Sequence, residues 1–305
     1  MSQLKVRNSS FELLRLLLML MVVIHHCIVH GLGLAGLSPN FSCPIVIPAE
    51  QMDIAFAINA FCICAVNCFV LISGYFKINV STQKFINLIL SILLYTIVFT
   101  VIPYMVKGDW ITAIKKCLFL SHSQYWFVID YLFLMVFAPM LNMAYDKFSD
   151  RHRILITIGL ILISCYFGFL WNHTANHNGY TIIQFITMYC IGREVAKFKF
   201  SLTRLQSISL YMIGCSIIAI SGWLLWNRGY NGLSWKTTFY NDPFLVVAAL
   251  GLFMLFKDMS FHSKLINRLG QSSFGIYLFQ SSASIGYFTY EWIRLNSFKF
   301  GRVFS

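Results

Sequence analysis

Nine apolar stretches separated by short polar connections divide the chain: residues 11–31, 54–76, 85–106, 125–145, 154–171, 180–198, 207–226, 243–257 and 273–292. Most reach the roughly 18 apolar residues that a helix needs to cross the hydrocarbon slab of a membrane. A backbone in lipid has only itself to hydrogen-bond with, so each stretch is expected to be an α-helix. The pattern predicts an all-α integral membrane protein, a polytopic bundle of about nine to ten transmembrane helices. Residues 110–120 read differently: apolar and basic positions alternate at helical spacing, as in a helix lying along the interface. Connections are short and no fixed repeat recurs, so residues 1–305 are expected to be a single membrane domain.

Composition sharpens this picture. Hydrophobic residues make up 58% of the 305 and charged residues 11%, with a mean hydropathy of +0.70, which excludes an ordinary soluble domain. The formal net charge of +12 suggests nucleic acid until the positions of the charges are read. Lys and Arg cluster between the apolar runs, where topology and anionic membrane lipids account for them, and no nucleic-acid partner is expected. Placing the N-terminus in the cytosol gathers there Lys5, Arg7, Lys77, Lys84, Lys147, Arg151, Arg153, Lys197, Lys199, Arg204, Lys257, Lys264 and Arg268. Connections 32–53 and 171–180 hold no Lys or Arg, while Lys107, Lys115, Lys116, Arg228 and Lys236 are exceptions on that side. The expectation is a multi-pass protein of the inner, cytoplasmic membrane with a cytosolic N-terminus, an uncleaved first anchor and, after nine spans, an external C-terminus. Most of the nine cysteines lie inside apolar runs and read as small hydrophobes. Cys64 and Cys68 share a helix face, but their spacing matches no zinc pattern and no metal site is expected.

Against this apolar background a few polar groups stand out, because ionisable side chains in lipid are costly. The first run, 12-ELLRLLLMLMVVIHH-26, contains Glu12, Arg15, His25 and His26. Glu12 and Arg15 are three residues apart and pair on one face, which also fits a positive-inside anchor with its counter-ion. Eleven residues separate Arg15 from His26, so the two return to within about 20° of one direction and stand roughly 16 Å apart along the axis. That suits a long substrate with an anionic end and a reactive end. His26 and His30 have a metal-compatible i, i+4 spacing without clustered partners, so a general base fits better than a metal ligand. His25 points about 100° away and is expected to pack or support. In the second run Asn67, Ser73 and Gly74 are polar or small, equally suited to packing and to lining a cavity, and Lys77 closes the run. Asp130 lies inside the fourth run beside Trp126, and Pro139 is expected to kink or end that helix.

The stretches just quoted, together with 69-FVLISGYF-76, 125-YWFVIDYL-132 followed by 138-APMLN-142, and 265-LINRLGQSSFGIYLFQ-280, resemble the acyltransferase 3 family of bacterial membrane acyltransferases. Many members O-acetylate surface polysaccharides. The motifs appear in the family's order over residues 7–280. The resemblance implies a bundle of ten or so helices that passes an acyl group, usually acetyl from cytosolic acetyl-CoA, to a hydroxyl on the outer side. Arg15 and His26 match the family's first-helix pair. Ser73, Gly74 and Tyr75 match its SG-aromatic motif, and Trp126 with Asp130 fall in its fourth-span stretch. Three departures stand out. Gln280 occupies a position where the family often has histidine, the basic pair after the second span is reduced to Lys77 and Lys84, and the chain stops soon after the ninth run, which implies a shortened or missing last helix.

These expectations combine into a mechanism. Arg15, oriented by Glu12 and joined by Lys77 or Lys84, would hold the acyl-CoA phosphates, since arginine's fork suits phosphate. His26 would take the acceptor's proton, with Asp130 as a further catalytic candidate and an acyl-histidine as the competing route. Asn67, Ser73, Gly74, Tyr75, Trp126 and Gln280 are candidates for steadying the oxyanion or contacting the acceptor. No cofactor is expected; acyl-CoA enters as substrate, and the acceptor is a glycan or another hydroxyl compound. The rival readings are a transporter or flippase for a glycan precursor and an inert relative acting as a membrane partner.

Overall fold

A computed structural model of the chain describes residues 8–40, 43–117 and 125–300. These residues form helices joined by short connections, with no strand among them. Helices α1 (Ser9–His26), α2 (Met52–Ile63), α3 (Ala65–Tyr75), α4 (Thr82–Thr96), α5 (Ile102–Val106), α6 (Trp110–Cys117), α7 (Trp126–Lys147) and α8 (Asp150–Leu162) make up the first half. Helices α9 (Ile182–Lys197), α10 (Arg204–Asn227), α11 (Asn231–Lys236), α12 (Pro243–Lys257), α13 (Lys264–Gln271), α14 (Ser273–Gln280) and α15 (Ala283–Phe300) make up the second. Wider π-helical turns extend α1 over Cys27–Gly31, α4 over Ile97–Val101 and α8 over Ile163–Leu170.

The all-α membrane architecture follows the apolar pattern. Six continuous helical stretches are long and apolar enough to cross a bilayer: Ser9–Gly31, Ala49–Tyr75, Thr82–Val106, Trp126–Lys147, Asp150–Leu170 and Arg204–Asn227. The other three expected runs are helical but different in kind. The α9 and α12 helices have 16 and 15 residues, about 24 Å or less at 1.5 Å per residue, which is short of the roughly 30 Å hydrocarbon core. Both sit inside the bundle, where Phe185, Met188, Tyr189, Leu245 and Phe253 are almost wholly buried. The ninth run is two helices, because the chain turns at Ser281 and Ser282 and the Ser282 hydroxyl donates back to the Phe279 carbonyl at 2.7 Å. Pro139 leaves α7 continuous. The expected interfacial stretch appears as α6, with Trp110, Ile111 and Ile114 exposed; residues 118–120 of it lie outside the described part.

Where the short helices leave depth unfilled, non-helical backbone enters the bundle, and a buried amide network satisfies it, as such backbone at membrane depth requires. Asn67 and Gln184 each donate to the Tyr240 carbonyl at 2.8 Å. The Gln184 amide also donates to Asn67 at 3.2 Å and accepts from the Ser164 hydroxyl. Asn176 donates to Ser164 at 2.9 Å, and Asn241 to the Asn176 carbonyl at 2.8 Å. Elsewhere the backbones touch directly. Gly74 of α3 lies against the Tyr189 backbone of α9, and Gly192 of α9 against the Leu71 and Tyr75 backbone, a reciprocal small-residue crossing.

Contacts sort the connections to two ends. At one, Asn8 donates to the Met259 carbonyl at 3.0 Å, Lys77 and Arg193 pair with Asp146, and Arg153 pairs with Glu194. At the other, the Tyr240 backbone amide donates to the Asn178 carbonyl at 3.0 Å, Lys236 to that of Leu170 at 3.1 Å, and Arg294 to that of His30 at 3.3 Å. The first is called here the Arg15 end and the second the His30 end.

Candidate active site

Helix α1 carries the site because its start is fixed. The Asn8 side chain caps it by accepting from the Ser10 amide at 3.1 Å. The Ser9 hydroxyl donates to Asn267 at 2.8 Å, and the Ser9 amide to the Phe261 carbonyl at 3.0 Å. Glu12, in the first turn where the helix dipole favours an acid, is buried and pairs with Arg15. Its carboxylate lies against Gly270 of α13, a contact that has room for no side chain at position 270. Arg15 is thus held from one side, with its own side chain 28% exposed.

Two cavities flank the far end of this helix. The first, of 390 Å³, runs from Arg15 past Met19, Val22, Ser73 and Phe127 to His25 and His26. The second, of 680 Å³, opens at the His30 end among His30, Asn40, Tyr180, Trp235, Tyr290 and Arg294. Both volumes are of ligand-pocket size, about 300–1,000 Å³. The two share one set of walls: His25, His26, Trp126, Tyr240 and Tyr277. The eleven-residue spacing does place Arg15 and His26 on the wall of a single cavity, and His26 also faces the second.

The two histidines are held differently. His25 is buried, with its Nδ1 2.7 Å from Asn59 Oδ1, so Nδ1–H donates and Nε2 keeps its lone pair. His26 has Nδ1 2.7 Å from Gln280 Nε2, at the last residue of α14 before the serine turn. In that orientation the amide donates to Nδ1, and the ring proton sits on Nε2. The His30 ring follows 5.5 Å beyond His26, with Tyr290 a further 5.4 Å on.

The remaining sequence candidates are distributed unevenly. Ser73 is on the first cavity's wall, donating to the Phe69 carbonyl at 3.1 Å and lying 3.2 Å from the Tyr131 hydroxyl. Its neighbour Gly74 faces α9, so packing and cavity lining divide between the two residues. Tyr75 packs with Phe11, Phe76 and Phe253. Trp126 stands at the junction, 4.4 Å from the Tyr180 ring and 5.3 Å from that of Tyr240. Asn67 has both ends of its amide engaged in the buried network. Lys77 pairs with Asp146 at 2.5 Å, and Lys84 is exposed near the start of α4. Asn67, Tyr75, Lys77, Lys84 and Asp130 are on neither cavity wall. Gln280 is on the second.

Sequence reasoning passed over Tyr131, Tyr240, Tyr277 and Asn59, and read His25 as a packing or supporting residue. Tyr277 lies within a quoted motif and Tyr131 one residue after Asp130. Tyr240 sits in an irregular connection, where no periodicity marks it.

No curated protein and no solved structure matches the chain. The acyltransferase 3 family, described as an acyltransferase domain, matches residues 8–302, and the chain belongs to it: this is a membrane acyltransferase.

Proposed function

We propose that the protein transfers an acetyl group from cytosolic acetyl-CoA to a hydroxyl of an extracytoplasmic glycan or glycan precursor, in the inner membrane and with its N-terminus in the cytosol. The single observation that carries this reading is the shared wall. A group delivered along the Arg15 cavity ends where a hydroxyl entering from the His30 end begins, with His26 between them.

The donor's phosphates sit at Arg15, whose guanidinium offers charge-assisted, bidentate hydrogen bonds and is already oriented by Glu12. Since Lys77 and Lys84 are off the wall, the phosphate contact rests on Arg15. The pantetheine arm lies along the mostly apolar cavity between Met19 and Phe127. At the junction the acceptor oxygen attacks the thioester carbon while its proton passes to a ring nitrogen of His26. The C–S bond then breaks, and the leaving thiolate takes the proton from His26. A positioned base of this kind contributes about 10²- to 10⁴-fold. Ser73 belongs to the Arg15 half of this cavity, since its hydroxyl donates to the Phe69 carbonyl and nearby Tyr75 packs on Phe11, so the oxyanion at the junction draws on the polar side chains of the shared wall instead. Trp126, Tyr180 and Tyr240 offer aromatic rings to a sugar at the inner end of the second cavity.

The test is acetyl content of surface glycans, by mass analysis, in cells carrying the wild type, His26→Ala or His25→Ala at matched membrane levels. Loss with His26→Ala and retention with His25→Ala supports the assignment. Retention with His26→Ala removes His26 as the base. The reverse pattern moves the role to His25, whose Nε2 is the free acceptor in the present geometry. Acetyl-CoA turnover by the purified protein separates the enzyme from a transporter or an inert partner, neither of which shows it.

A further inference from the structure

Base chemistry at His26 needs a lone pair on Nε2, yet the present hydrogen bond from Gln280 puts the ring proton there. Glutamine resolves the conflict by itself, because its amide carries a donor and an acceptor on one pivot. Turned by 180°, Oε1 accepts from Nδ1–H and the lone pair moves to Nε2 of a ring that lines both cavities. We propose that Gln280 is the positioning residue of the transfer: its amide fixes the plane of the His26 ring and selects its reactive tautomer. This rests on His26 being the base.

The placement supports a dedicated role. Gln280 is the last residue of α14, and the turn through Ser281 and Ser282 follows at once. The turn is closed by the Ser282 hydroxyl on the Phe279 carbonyl at 2.7 Å and tied to its surroundings by the Ala283 amide, which donates to the Thr100 hydroxyl at 3.3 Å. A continuous helix through 273–292 would carry no such stop at the depth of His26. The break ends α14 where its side chain meets a ring 254 positions away in the sequence. During transfer the imidazolium has a proton on both nitrogens, so Oε1 must face Nδ1 at that moment. Gln280 therefore supports the charged ring without holding a charge of its own. When the leaving thiolate takes the Nε2 proton, the neutral Nδ1–H tautomer is restored and the amide has not moved again.

Two substitutions separate this role from packing. Gln280→Met keeps the length and bulk and loses both the donor and the acceptor. Gln280→Glu keeps the acceptor alone and holds the Nδ1–H tautomer permanently. Steady-state turnover of acetyl-CoA with the native glycan fraction is expected to show kcat lowered about tenfold to a hundredfold in Gln280→Met, the order of loss when the partner that orients a metal-bound histidine is removed. KM for acetyl-CoA should stay within about twofold, because Arg15 is untouched, and Gln280→Glu should restore kcat to within a few-fold of wild type. Wild-type kcat in Gln280→Met, or equal losses in both variants at equal thermal stability, overturns the proposal. Activity in His26→Ala instead overturns the base assignment, so the two failures are distinguishable.

Discussion

Replacing Gly270 by alanine reaches the donor site from outside it. A methyl group built at that position lies 2.8 Å from Glu12 Cβ and 3.3 Å from Glu12 Cα, and closer still to the carboxylate. Ordinary contact begins at 3.4 Å, so Glu12 must give way by at least about 0.6 Å, an overpacking that costs roughly 1–3 kcal/mol. The backbone of α1 cannot absorb the shift cheaply, because Asn8 and Ser9 tie its first turn to Met259, Phe261 and Asn267. The carboxylate swings away and α13 shifts off the Glu12 Cβ, and Arg15 loses a charge-assisted hydrogen bond of about 1.5–3 kcal/mol. That energy is the ceiling on what lost orientation can take from donor binding, so at about 1.4 kcal/mol per tenfold KM for acetyl-CoA rises by up to about tenfold to a hundredfold. The assay is steady-state turnover with varied acetyl-CoA, with thermal unfolding in detergent as the check on folding. Glu12→Gln, which removes the charge without adding bulk, should raise KM in the same direction. A folded Gly270→Ala protein with wild-type KM would refute the view that Glu12 positions Arg15 for the donor.

Three other outcomes follow from the packing. Gly74→Ala puts a methyl group 2.9 Å from the Tyr189 Cα and carbonyl carbon, so two helix backbones must separate; a loss of about 1–3 kcal/mol is expected, read as a lower unfolding temperature. Ser73→Ala, next to it but on the wall of the donor half of the first cavity, should leave that temperature within a degree or two while changing KM for acetyl-CoA more than kcat, consistent with the small effect of losing one partly exposed hydroxyl on stability. Gln184→Leu removes one of two donors to the Tyr240 carbonyl and takes away the acceptor of the Ser164 hydroxyl, which keeps only the bond it accepts from Asn176. The expected cost is about 1–3 kcal/mol, with acceptor KM and donor KM both rising because Tyr240 lines both cavities.

How far the sequence went differs from residue to residue. The helices that cross were readable because lipid permits a long apolar segment few alternatives, and the alignment of Arg15 with His26 was readable because both stand on one rigid helix. The break in the ninth run was not readable. Ser281 and Ser282 interrupt hydropathy only slightly, and what makes them a stop is a hydroxyl turning back onto Phe279. Lys77 looked free to meet phosphate, and its partner Asp146 lies 69 positions away on another helix. Asn67 looked like a site residue for a similar reason: its role depends on Gln184 and Tyr240, which only the folded bundle brings to it. The resemblance marked Gln280 as a departure, while its meeting with His26 is a tertiary contact that no local pattern encodes.

The claim on which all of this depends is that one path, entered from opposite faces, meets at His26. Membrane vesicles that keep their native glycan acceptor test it directly, prepared right-side-out or inverted and given acetyl-labelled acetyl-CoA in the outside medium. The account predicts labelled glycan in the inverted vesicles, where the Arg15 end faces the donor, and none in the right-side-out vesicles or with His26→Ala. Labelling from right-side-out vesicles, or labelling that survives His26→Ala, would contradict it.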